Sequence, residues 1–392
     1  MPSIFKPRHT GKCKICGLES PLISSYLGVC VKCIREDPEE SLKVVLDPHR
    51  KAREQYRLPP QPCKIQSGIK CNICSNECAM SDGDVSFCGL RWVENGQLKS
   101  HVDNDKALLY YYLDPHVTNC CSAWFCPAGT GVGYPQYAYT KGPEYNYYDL
   151  AIFFYGCNFD CLFCQNYSHK RFEEARVVTV KELIHATLSN TRISCWCFFG
   201  GSPEPQLPFA INASKRILEH LHTGRILRIC FEWNGCGNKA LVDEAGELSL
   251  KTGGNIKFDL KAFSNSLSIA LSGVSNRRAF ENFEALYNRF YMDRPNLPVL
   301  TATTLLVPGY VDSEEVEGIT KFLADLNPEI PYSLLVFHPN YLMRDLPVTP
   351  MEQVVKCYRV AKSHLKNVHI GNLYLIGFYS MGDFENIYGG SY

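Results

Sequence analysis

Three cysteines in the middle of the chain are spaced for iron–sulfur chemistry. Cys157, Cys161 and Cys164 stand in the run GCNFDCLFCQN, with C-x3-C-x2-C spacing. Cysteine thiolates are the usual protein ligands of iron–sulfur clusters, and three of them can hold three irons of a [4Fe–4S] cube and leave the fourth iron open. Single zinc ions more often use two C-x2-C pairs. The spacing therefore favours a cluster with one open iron over a zinc loop or three buried thiols.

A second group of cysteines lies near the amino terminus and forms two C-x2-C pairs, Cys13 with Cys16 and Cys30 with Cys33. Two such pairs at this separation are typical of a small zinc ribbon or of a rubredoxin-like iron site, and zinc is the favoured metal. A segment this short has little core, so a bound metal would supply the folding energy. We therefore expect one metal ion in this module.

A third group of cysteines begins in the segment CNICSNEC. Its members are separated by two, three and nine residues: Cys71, Cys74, Cys78 and Cys88. Thiols at this spacing can close a tetrahedral zinc site or hold an auxiliary iron–sulfur cluster, and spacing does not separate these alternatives. Further candidate ligands, to which the sequence assigns no role, are Cys63, Cys120, Cys121 and Cys126.

The composition argues against two classes of partner. Forty basic and 40 acidic residues give a net charge of zero, which provides no global field to attract nucleic acid or an anionic membrane. The first residues lack the apolar core of a signal peptide, and no stretch is apolar enough to span a bilayer. With 20 cysteines, we expect a cytoplasmic protein of an anaerobe, in which Cys195, Cys197 and Cys230 are small core residues.

Three regions divide the chain. Residues 1–60 form the zinc-ribbon-like or rubredoxin-like module with a charged helix and linker, and residues 61–147 form a Cys-rich leader with long Tyr/Gly loops. Residues 148–392 alternate strand and helix patterns, with strands at 149–156, 193–201, 227–233, 255–261, 299–307 and 333–338. Six such strands predict a parallel sheet with right-handed crossovers. Because a closed barrel needs eight units, the predicted fold class is α/β with a partial (β/α)6 barrel.

Residues suited to ligand binding stand at the carboxyl ends of these strands, where barrel folds place their chemistry. They are Gly200, Gly201, Ser202, Glu232, Asp259, Lys261 and His338. The two glycines let the backbone approach a ligand closely, and Asp259 and Lys261 share one face of their strand. Taken singly, the Asp–Lys pair and the histidine have simpler structural interpretations. Taken together, the set predicts a polar ligand at one mouth of the barrel.

The run GCNFDCLFCQN resembles the cluster loop of radical S-adenosylmethionine (radical SAM) enzymes. The strands that follow resemble the activase branch of that superfamily, typified by pyruvate formate-lyase activating enzyme. The similarity is closer to the AmmeMemoRadiSam-system proteins, whose Cys-rich leader resembles CNICSNECAM and FCGLR. GGSPEP stands at the family's Gly-Gly-Glu loop, FDLKAF resembles its Asp-Leu-Lys strand, and LLVPGYVD and LLVFHPNY match its fifth and sixth strand ends. The resemblance covers residues 71–377.

This resemblance implies a [4Fe–4S] cluster on Cys157, Cys161 and Cys164, with S-adenosylmethionine (SAM) bound to the open iron. It further implies that Phe163 lies against SAM and that the backbone of Gly200, Gly201 and Ser202 binds the SAM amino group. Lys261 would meet the SAM carboxylate, and His338 would lie near the ribose. A monovalent cation next to SAM would be bound by Glu232 and Asp259.

Two positions depart from the family pattern. Ser202 and Pro203 stand where a glutamate is commoner, so the side-chain contacts of that loop differ. Thr303 stands where glycyl-radical activases have an arginine that engages their substrate, which weakens the activase interpretation.

The resemblance leaves several hypotheses for the reaction. The first is modification of a protein or peptide substrate, with cobalamin-dependent C-methylation of a glutamine in methyl-coenzyme M reductase as its most specific form. A low-potential electron donor would be a second partner. The segment DPHVTN (114–119) comes near the cobalamin-ligand signature Asp-x-His-x-x-Gly but lacks the glycine. The alternatives are activation of a glycyl-radical enzyme, RNA modification through the zinc ribbon, and a non-catalytic binding module.

Overall fold

The computed structural model describes residues 10–118 and 120–390. The first nine residues, on which the signal-peptide prediction largely rests, and Asn119, the last residue of DPHVTN, lie outside the described part. The amino-terminal module consists of a hairpin and two helices: β1 (Gly11–Lys12), β2 (Glu19–Ser20), α1 (Val31–Glu36) and α2 (Pro38–Glu54). Helix α2 begins where the Asp37 carboxylate accepts the backbone N–H of Glu40, with Pro38 in the first turn.

The leader contains two short antiparallel hairpins and one long strand: β3 (Ile69–Lys70), β4 (Ala79–Met80), β5 (Arg91–Glu94), β6 (Gln97–Ser100) and β7 (Lys106–Pro115). The remaining elements follow in chain order. They are α3 (Pro127–Thr130), β8 (Tyr148–Phe154), β9 (Val177–Thr179), α4 (Val180–Ser189), β10 (Ile193–Gly200), α5 (Leu207–His220), β11 (Arg228–Trp233), α6 (Lys239–Thr252), β12 (Ile256–Asp259), α7 (Asn265–Ser272), α8 (Arg277–Phe290), β13 (Leu300–Leu306), α9 (Ser313–Leu326), β14 (Tyr332–Val336), α10 (Met351–His364), β15 (Val368–Gly371) and α11 (Met381–Tyr388).

One nine-stranded sheet forms the centre of the molecule, with strand order β15-β14-β13-β12-β11-β10-β8-β7-β9. Strand β8 and strands β10 to β15 are parallel to one another, and β7 pairs antiparallel with both β8 and β9. The predicted α/β fold with a central parallel sheet is therefore confirmed. All six predicted strands are present, and β15 adds a seventh to the parallel set.

The prediction of long Tyr/Gly loops within residues 61–147 was wrong for β7, a ten-residue strand along β8. Its tyrosines are not loop residues but form cross-strand aromatic pairs, which stabilise antiparallel sheets. Tyr110 stacks on Phe153 of β8, with ring centroids 4.6 Å apart.

Residues 120–147 return across the amino ends of the parallel strands. Ser122 Oγ donates to Asn255 Oδ1 at 2.9 Å, just before β12. Arg228, the first residue of β11, forms a buried two-pronged ion pair with Glu144, with N–O distances of 2.8 and 2.6 Å. These contacts close the end of the barrel that lies opposite the predicted site.

The amino-terminal module packs tightly on the sheet domain. Tyr310 Oη donates to the carbonyl oxygen of Val29 at 3.0 Å and accepts the backbone N–H of Ser24 at 3.1 Å. Helix α2 was predicted as a helix followed by a linker, but its residues His49 and Arg53 are fully buried. No helix of the described chain is long and apolar enough to cross a bilayer.

Candidate active site and metal centres

The three cysteines of the C-x3-C-x2-C run lie in the loop after β8 and line one cavity of about 190 Å³. The loop begins at Gly156, which has φ +80° and packs against the leader. A Cβ there would lie 3.2 Å from the carbonyl oxygen of Cys88 in a strained conformation, so only glycine fits. Burial raises the pKa of Cys157, Cys161 and Cys164, to about 11 for Cys164. A metal that binds these thiols must therefore displace their protons.

A buried charge network holds the middle of this loop. Asp160 accepts hydrogen bonds from His49 Nδ1 at 2.8 Å and Lys170 Nζ at 2.5 Å, and lies 3.5 Å from Arg53 Nη1. Burial raises the pKa of Asp160, but His49 and Lys170 outweigh it and hold that pKa well below its usual range. These residues were missed in the sequence, where only the place of Asp160 inside the cysteine run was a signal.

The glycine loop after β10 lies against the cluster loop. The backbone N–H of Gly201 donates to the carbonyl oxygen of Phe154 at 2.9 Å. A Cβ on Gly201 would come within 2.3 Å of the carbonyl oxygen of Gly156 and 2.8 Å of the His169 ring. The loop therefore has no room for a side chain at this position, and its backbone faces the cavity. Burial lowers the pKa of His169 to about 3, so its ring is neutral at pH 7.

The hydroxyl group of Ser202 forms hydrogen bonds within the protein and so stabilises its own loop. This hydroxyl donates to the Glu204 carboxyl group and accepts from Asn234 Nδ2 at 3.0 Å. Glu204 Oε1 in turn accepts the backbone N–H of Gly235 at 2.7 Å. Burial raises the pKa of Glu204 to about 7, against the lowering effect of these hydrogen bonds.

Two acid–base pairs supply three of the residues that line the cavity: Glu232, Asp259 and Lys261. Lys261 forms an ion pair with Asp259, and Lys257 forms one with Glu232. Burial lowers the pKa of Lys261, but Asp259 and the thiols of the cluster loop outweigh it, so the ammonium group stays charged. Asp259 Oδ1 is buried with no hydrogen-bond partner, which leaves one acceptor for a ligand. Each carboxylate predicted to bind a monovalent cation thus has a lysine partner already.

The structure brings together ten of the eleven predicted residues of the cluster and SAM site. Those that line the cavity are Cys157, Cys161, Phe163, Cys164, Gly200, Gly201, Ser202, Glu232, Asp259 and Lys261. His338 does not line it. That side chain is exposed after β14, beside Asn340 Nδ2 at 3.2 Å. Polar residues that also line the cavity but were not assigned a role from the sequence are Gln165, Asn166, His169 and Asn372, and Asn234, directly after β11, lines it beside them.

The amino-terminal cysteines form a compact site for a single metal ion. The Sγ atoms of Cys13 and Cys33 lie 3.8 Å apart, as do those of Cys16 and Cys30. A metal–sulfur distance of about 2.3 Å in a tetrahedron requires sulfur separations of about 3.8 Å. Burial raises the pKa of Cys13, but backbone N–H groups, including that of Cys30, outweigh it and lower the pKa to about 6. In the described chain, no other group of three or more Cys, His, Asp or Glu ligand atoms lies within 4.8 Å of one another.

Of the cysteines of β10 and β11 predicted to be core residues, Cys195 is buried as expected, and Cys197 and Cys230 are partly buried. Cys195, Cys197 and Cys230 line a second cavity of about 60 Å³ together with Cys120 and Cys126. The lining is mostly apolar, but Asp149 and Lys257 also border the cavity, and Cys195 Sγ accepts a hydrogen bond from Arg228 Nε at 3.1 Å. It lies on the amino-terminal side of Glu232, which borders both cavities.

The sequence is similar to those of several known proteins. An uncharacterized protein of Methanocaldococcus jannaschii is 23% identical over 329 residues, which cover 78% of this chain and 81% of the relative. A second protein of that organism, provisionally named as a glycyl-radical enzyme activating enzyme, is 28% identical over 56% of this chain and 79% of its own length. The isethionate sulfite-lyase activating enzyme of Oleidesulfovibrio alaskensis is 30% identical, and the match covers 36% of this chain and 40% of that enzyme.

The family model of the radical SAM superfamily matches residues 151–323. This range begins in β8 and ends in α9, so it contains the cluster loop, the glycine loop and both acid–base pairs. Residues 151–323 of this chain therefore form a domain of the radical SAM superfamily.

Proposed function

We propose that this protein is a radical SAM enzyme that modifies a protein or peptide substrate. The observation that carries the proposal is that the three thiols of the C-x3-C-x2-C loop share one cavity with the glycine loop and with Lys261. When bound there, a [4Fe–4S] cluster and SAM supply a one-electron cleavage of the sulfonium and a 5′-deoxyadenosyl radical that removes hydrogen from a C–H bond.

The residues of the cavity fit these ligands. The Sγ atoms of Cys157, Cys161 and Cys164 do not all lie within 4.8 Å of one another, which suits a cluster of several irons better than a single ion. Lys261 provides a buried positive charge for the SAM carboxylate. The close-packed backbone at Gly201 provides a surface for the amino group without a side chain in the way.

A larger cleft supports a peptide as the substrate. It has a volume of about 380 Å³ and shares Gln165, Glu232 and Leu335 with the cluster cavity. Its outer wall is aromatic and exposed, with Tyr374 63% and Tyr379 91% accessible to solvent. An aromatic wall that opens to solvent beside the reactive centre gives an extended peptide access and apolar contact area.

Within this class we favour C-methylation of a protein residue, with a glutamine of methyl-coenzyme M reductase as the specific candidate. Thr303 supports this choice over glycyl-radical activation, because its hydroxyl donates to the carbonyl oxygen of Ser333 at 3.1 Å and offers no charge to a substrate. Methyl transfer of this kind needs a methyl carrier, for which cobalamin is the candidate. His116 of the DPHVTN segment is buried against Ser194 Oγ at 3.0 Å, so cobalamin would bind without a ligand from it.

The second candidate function is activation of a glycyl-radical enzyme. It is supported by the names of two relatives, one of which matches this chain over 79% of its own length. The two functions share the radical and differ in the step after hydrogen abstraction. An activase leaves a radical on a partner protein, whereas a methyltransferase consumes a second SAM as methyl donor.

The products of SAM distinguish these functions. Reconstituted protein would be incubated anaerobically with SAM and a strong reductant, with and without cobalamin, and the products quantified by mass spectrometry. We expect 5′-deoxyadenosine in both samples and S-adenosylhomocysteine only with cobalamin. 5′-Deoxyadenosine without S-adenosylhomocysteine would contradict methyl transfer and favour activation. The absence of both products would contradict the radical SAM function itself.

A further inference from the structure

The four leader cysteines converge on one small volume beside the cluster loop. The backbone N–H of Cys71 donates to the carbonyl oxygen of Cys78 at 2.9 Å, which closes the β3–β4 hairpin. The backbone N–H of Phe87 donates to Cys78 Sγ at 3.4 Å and so brings the neighbouring Cys88 to the same place. Cys74 lies in the turn between these strands. The fold thus gathers four thiols that are up to 17 residues apart along the chain.

Their spacing is wider than that of a single-ion site. In the amino-terminal module four sulfurs lie within 4.8 Å of one another, but the leader thiols do not meet that limit in the described structure. They are nonetheless joined by short contacts, since the Phe87 N–H reaches Cys78 Sγ and the Ser86 hydroxyl lies 3.4 Å from Cys88 Sγ. Four thiols gathered in this way, but too far apart for one ion, suit a cluster with several irons.

The surroundings of these thiols suit a negatively charged ligand. Arg91 is buried, and its backbone N–H donates at 3.1 Å to Ser86 Oγ, which lies 3.4 Å from Cys88 Sγ. Its Nη1 has no hydrogen-bond partner in the described structure. A buried, unpartnered guanidinium N–H is costly, and an anionic thiolate-ligated cluster would provide its missing counterion. The backbone N–H of Phe87 donates to Cys78 Sγ, and hydrogen bonds of this kind to cluster sulfurs tune the reduction potential.

Direct contacts join the leader to the loop of Cys157. Asn76 Nδ2 donates to the carbonyl oxygen of Asn158 at 2.7 Å, and Asn158 follows Cys157 in the chain. The two loops also share one acceptor, the carbonyl oxygen of Cys236, which receives the backbone N–H of Ser75 at 2.9 Å and Asn158 Nδ2 at 3.3 Å. The path from Cys74 therefore runs two residues along the chain to Asn76. It crosses the hydrogen bond to Asn158 and ends one residue away, at Cys157.

A second connection runs through Arg53. Its guanidinium lies 3.5 Å over the ring of Phe87, next to Cys88, and donates to the carbonyl oxygen of that phenylalanine. The same guanidinium lies 3.5 Å from Asp160, between Cys157 and Cys161. Both connections are buried, so the leader and the cluster loop form one packed unit.

We propose that Cys71, Cys74, Cys78 and Cys88 hold a second [4Fe–4S] cluster that relays electrons to the cluster at Cys157, Cys161 and Cys164. The relay rests on the proposed function, because the receiving centre is the radical SAM cluster. A reduced flavodoxin or ferredoxin supplies one electron to the leader cluster, and the same electron passes on to the receiving cluster. The leader cluster returns to its oxidised state, and no bond is formed or broken.

Both groups of cysteines reach the surface. Cys71 and Cys74 of the leader and Cys164 of the cluster loop are partly exposed, and the other cysteines of the two groups are buried. The leader surface carries charges of both signs, with Lys64, Lys70 and Glu77 exposed. A small redox protein can therefore approach the leader directly.

Metal analysis tests the second cluster independently of SAM chemistry. Anaerobically reconstituted full-length protein should contain about eight irons with equal sulfide, since each cube holds four of each. Replacement of Cys157, Cys161 and Cys164 by alanine should leave about four irons, with an electron paramagnetic resonance signal upon reduction. Zinc without iron at the leader of that variant would overturn the second cluster. The opposite result would instead contradict the proposed function: iron lost from the leader variant Cys74→Ala, but none lost when Cys157, Cys161 and Cys164 are replaced.

The relay is tested by a variant that keeps all the cysteines. Asn76→Ala removes the hydrogen bond to Asn158, and Asn238→Ala, which removes a leader contact to Asn72 at 3.0 Å, is the control. We expect the Asn76 variant to keep both clusters and to form 5′-deoxyadenosine normally with dithionite. With reduced flavodoxin its rate should fall about tenfold, because the shortest connection between the centres is lost. Equal flavodoxin-driven rates for Asn76→Ala, Cys74→Ala and the control would overturn the relay.

Discussion

His49 Nδ1 lies 2.8 Å from a carboxylate oxygen of Asp160, although 111 residues separate the two in sequence. Both side chains are fully buried, so this contact fixes helix α2 of the amino-terminal module against the middle of the cluster loop. The amino-terminal module therefore contacts the cluster loop directly, in addition to forming its own metal site. It supplies His49 and Arg53, which together with Lys170 hold Asp160 ionised in the middle of the loop that carries the three cysteines.

Asp160→Asn should destabilise the protein strongly. The change leaves the buried Lys170 without its counterion, and breaking a buried ion pair by removal of one partner costs about 3–5 kcal/mol. The free energy of unfolding would be measured by denaturant titration. Asp47→Asn is the matched control, because its ion pairs with Arg50 and Lys51 are exposed and should contribute little. Equal stability of the two variants would contradict the structural role of Asp160.

Gly201→Ala should impair SAM binding while the cluster remains. A Cβ at this position would come within 2.3 Å of the Gly156 carbonyl oxygen, so the glycine loop or the cluster loop must shift. We expect SAM cleavage to fall by about tenfold or more, since small displacements of positioning groups cost rate. Gly142→Ala meets no atom within 4 Å and should behave as the wild type. The measurement is 5′-deoxyadenosine formation at matched iron content; an unchanged rate would argue against a tight backbone surface there.

Glu204 should make the stability of the protein depend on pH. Burial raises its pKa from 4.5 to about 7, so between these values the folded state holds a proton that the unfolded state has lost. Stability is therefore greatest below the unfolded-state pKa and falls as the pH rises to about 7. The total loss of folding free energy is up to about 3 kcal/mol, and stability is constant above that pH.

Glu204→Gln cannot ionise and should lack this component. Its amide oxygen still accepts the Gly235 N–H, which keeps the loop contact. Denaturant titrations at pH 5 and pH 8 give the change in unfolding free energy between the two pH values for each protein. The change in the wild type minus the change in the variant is the contribution of Glu204. The same pH dependence in the variant and in the wild type would show that Glu204 ionises normally in the folded protein.

Cys16→Ala should remove one metal ion and unfold the amino-terminal module locally. The four sulfurs of that site have the separations of a tetrahedral ion, and small metal modules depend on the metal for folding. Inductively coupled plasma mass spectrometry and hydrogen exchange of residues 10–36 would show the loss. Cys357→Ala, in buried helix α10, is the control for loss of a cysteine. Retention of the metal by Cys16→Ala would contradict the four-cysteine site.

The sequence predicted the repeating part of the fold well, because its signals are local. Thr179 with Glu182, and Asp312 before Ser313, are capping patterns, and in both cases the structure shows the expected side-chain hydrogen bond at the helix start. The helical pattern of residues 313–326, opened by Asp312 and Ser313, predicts helix α9, which begins and ends at these residues. The strand ends follow from alternation with these helices, which is why the residues that line the cavity could be selected.

The parts that were missed depend on contacts between distant segments. Nothing near His49 or Arg53 indicates that they reach Asp160, since that contact exists only once α2 packs against the cluster loop. Strand β7 was assigned to loops because its tyrosines resemble the loop sequence around it, and only pairing with β8 makes it a strand. His338 follows its strand as predicted, but the chain turns there and exposes it.

The most direct test of the central claim is SAM cleavage by a pair of single-cysteine variants. Cys161→Ala removes one predicted cluster ligand that lines the cavity, and Cys357→Ala removes a buried cysteine that does not line it. Both would be reconstituted with iron and sulfide and incubated anaerobically with SAM and dithionite. The account predicts 5′-deoxyadenosine from the wild type and Cys357→Ala, and none above background from Cys161→Ala. Wild-type amounts from Cys161→Ala would contradict the claim that this loop holds the reactive cluster.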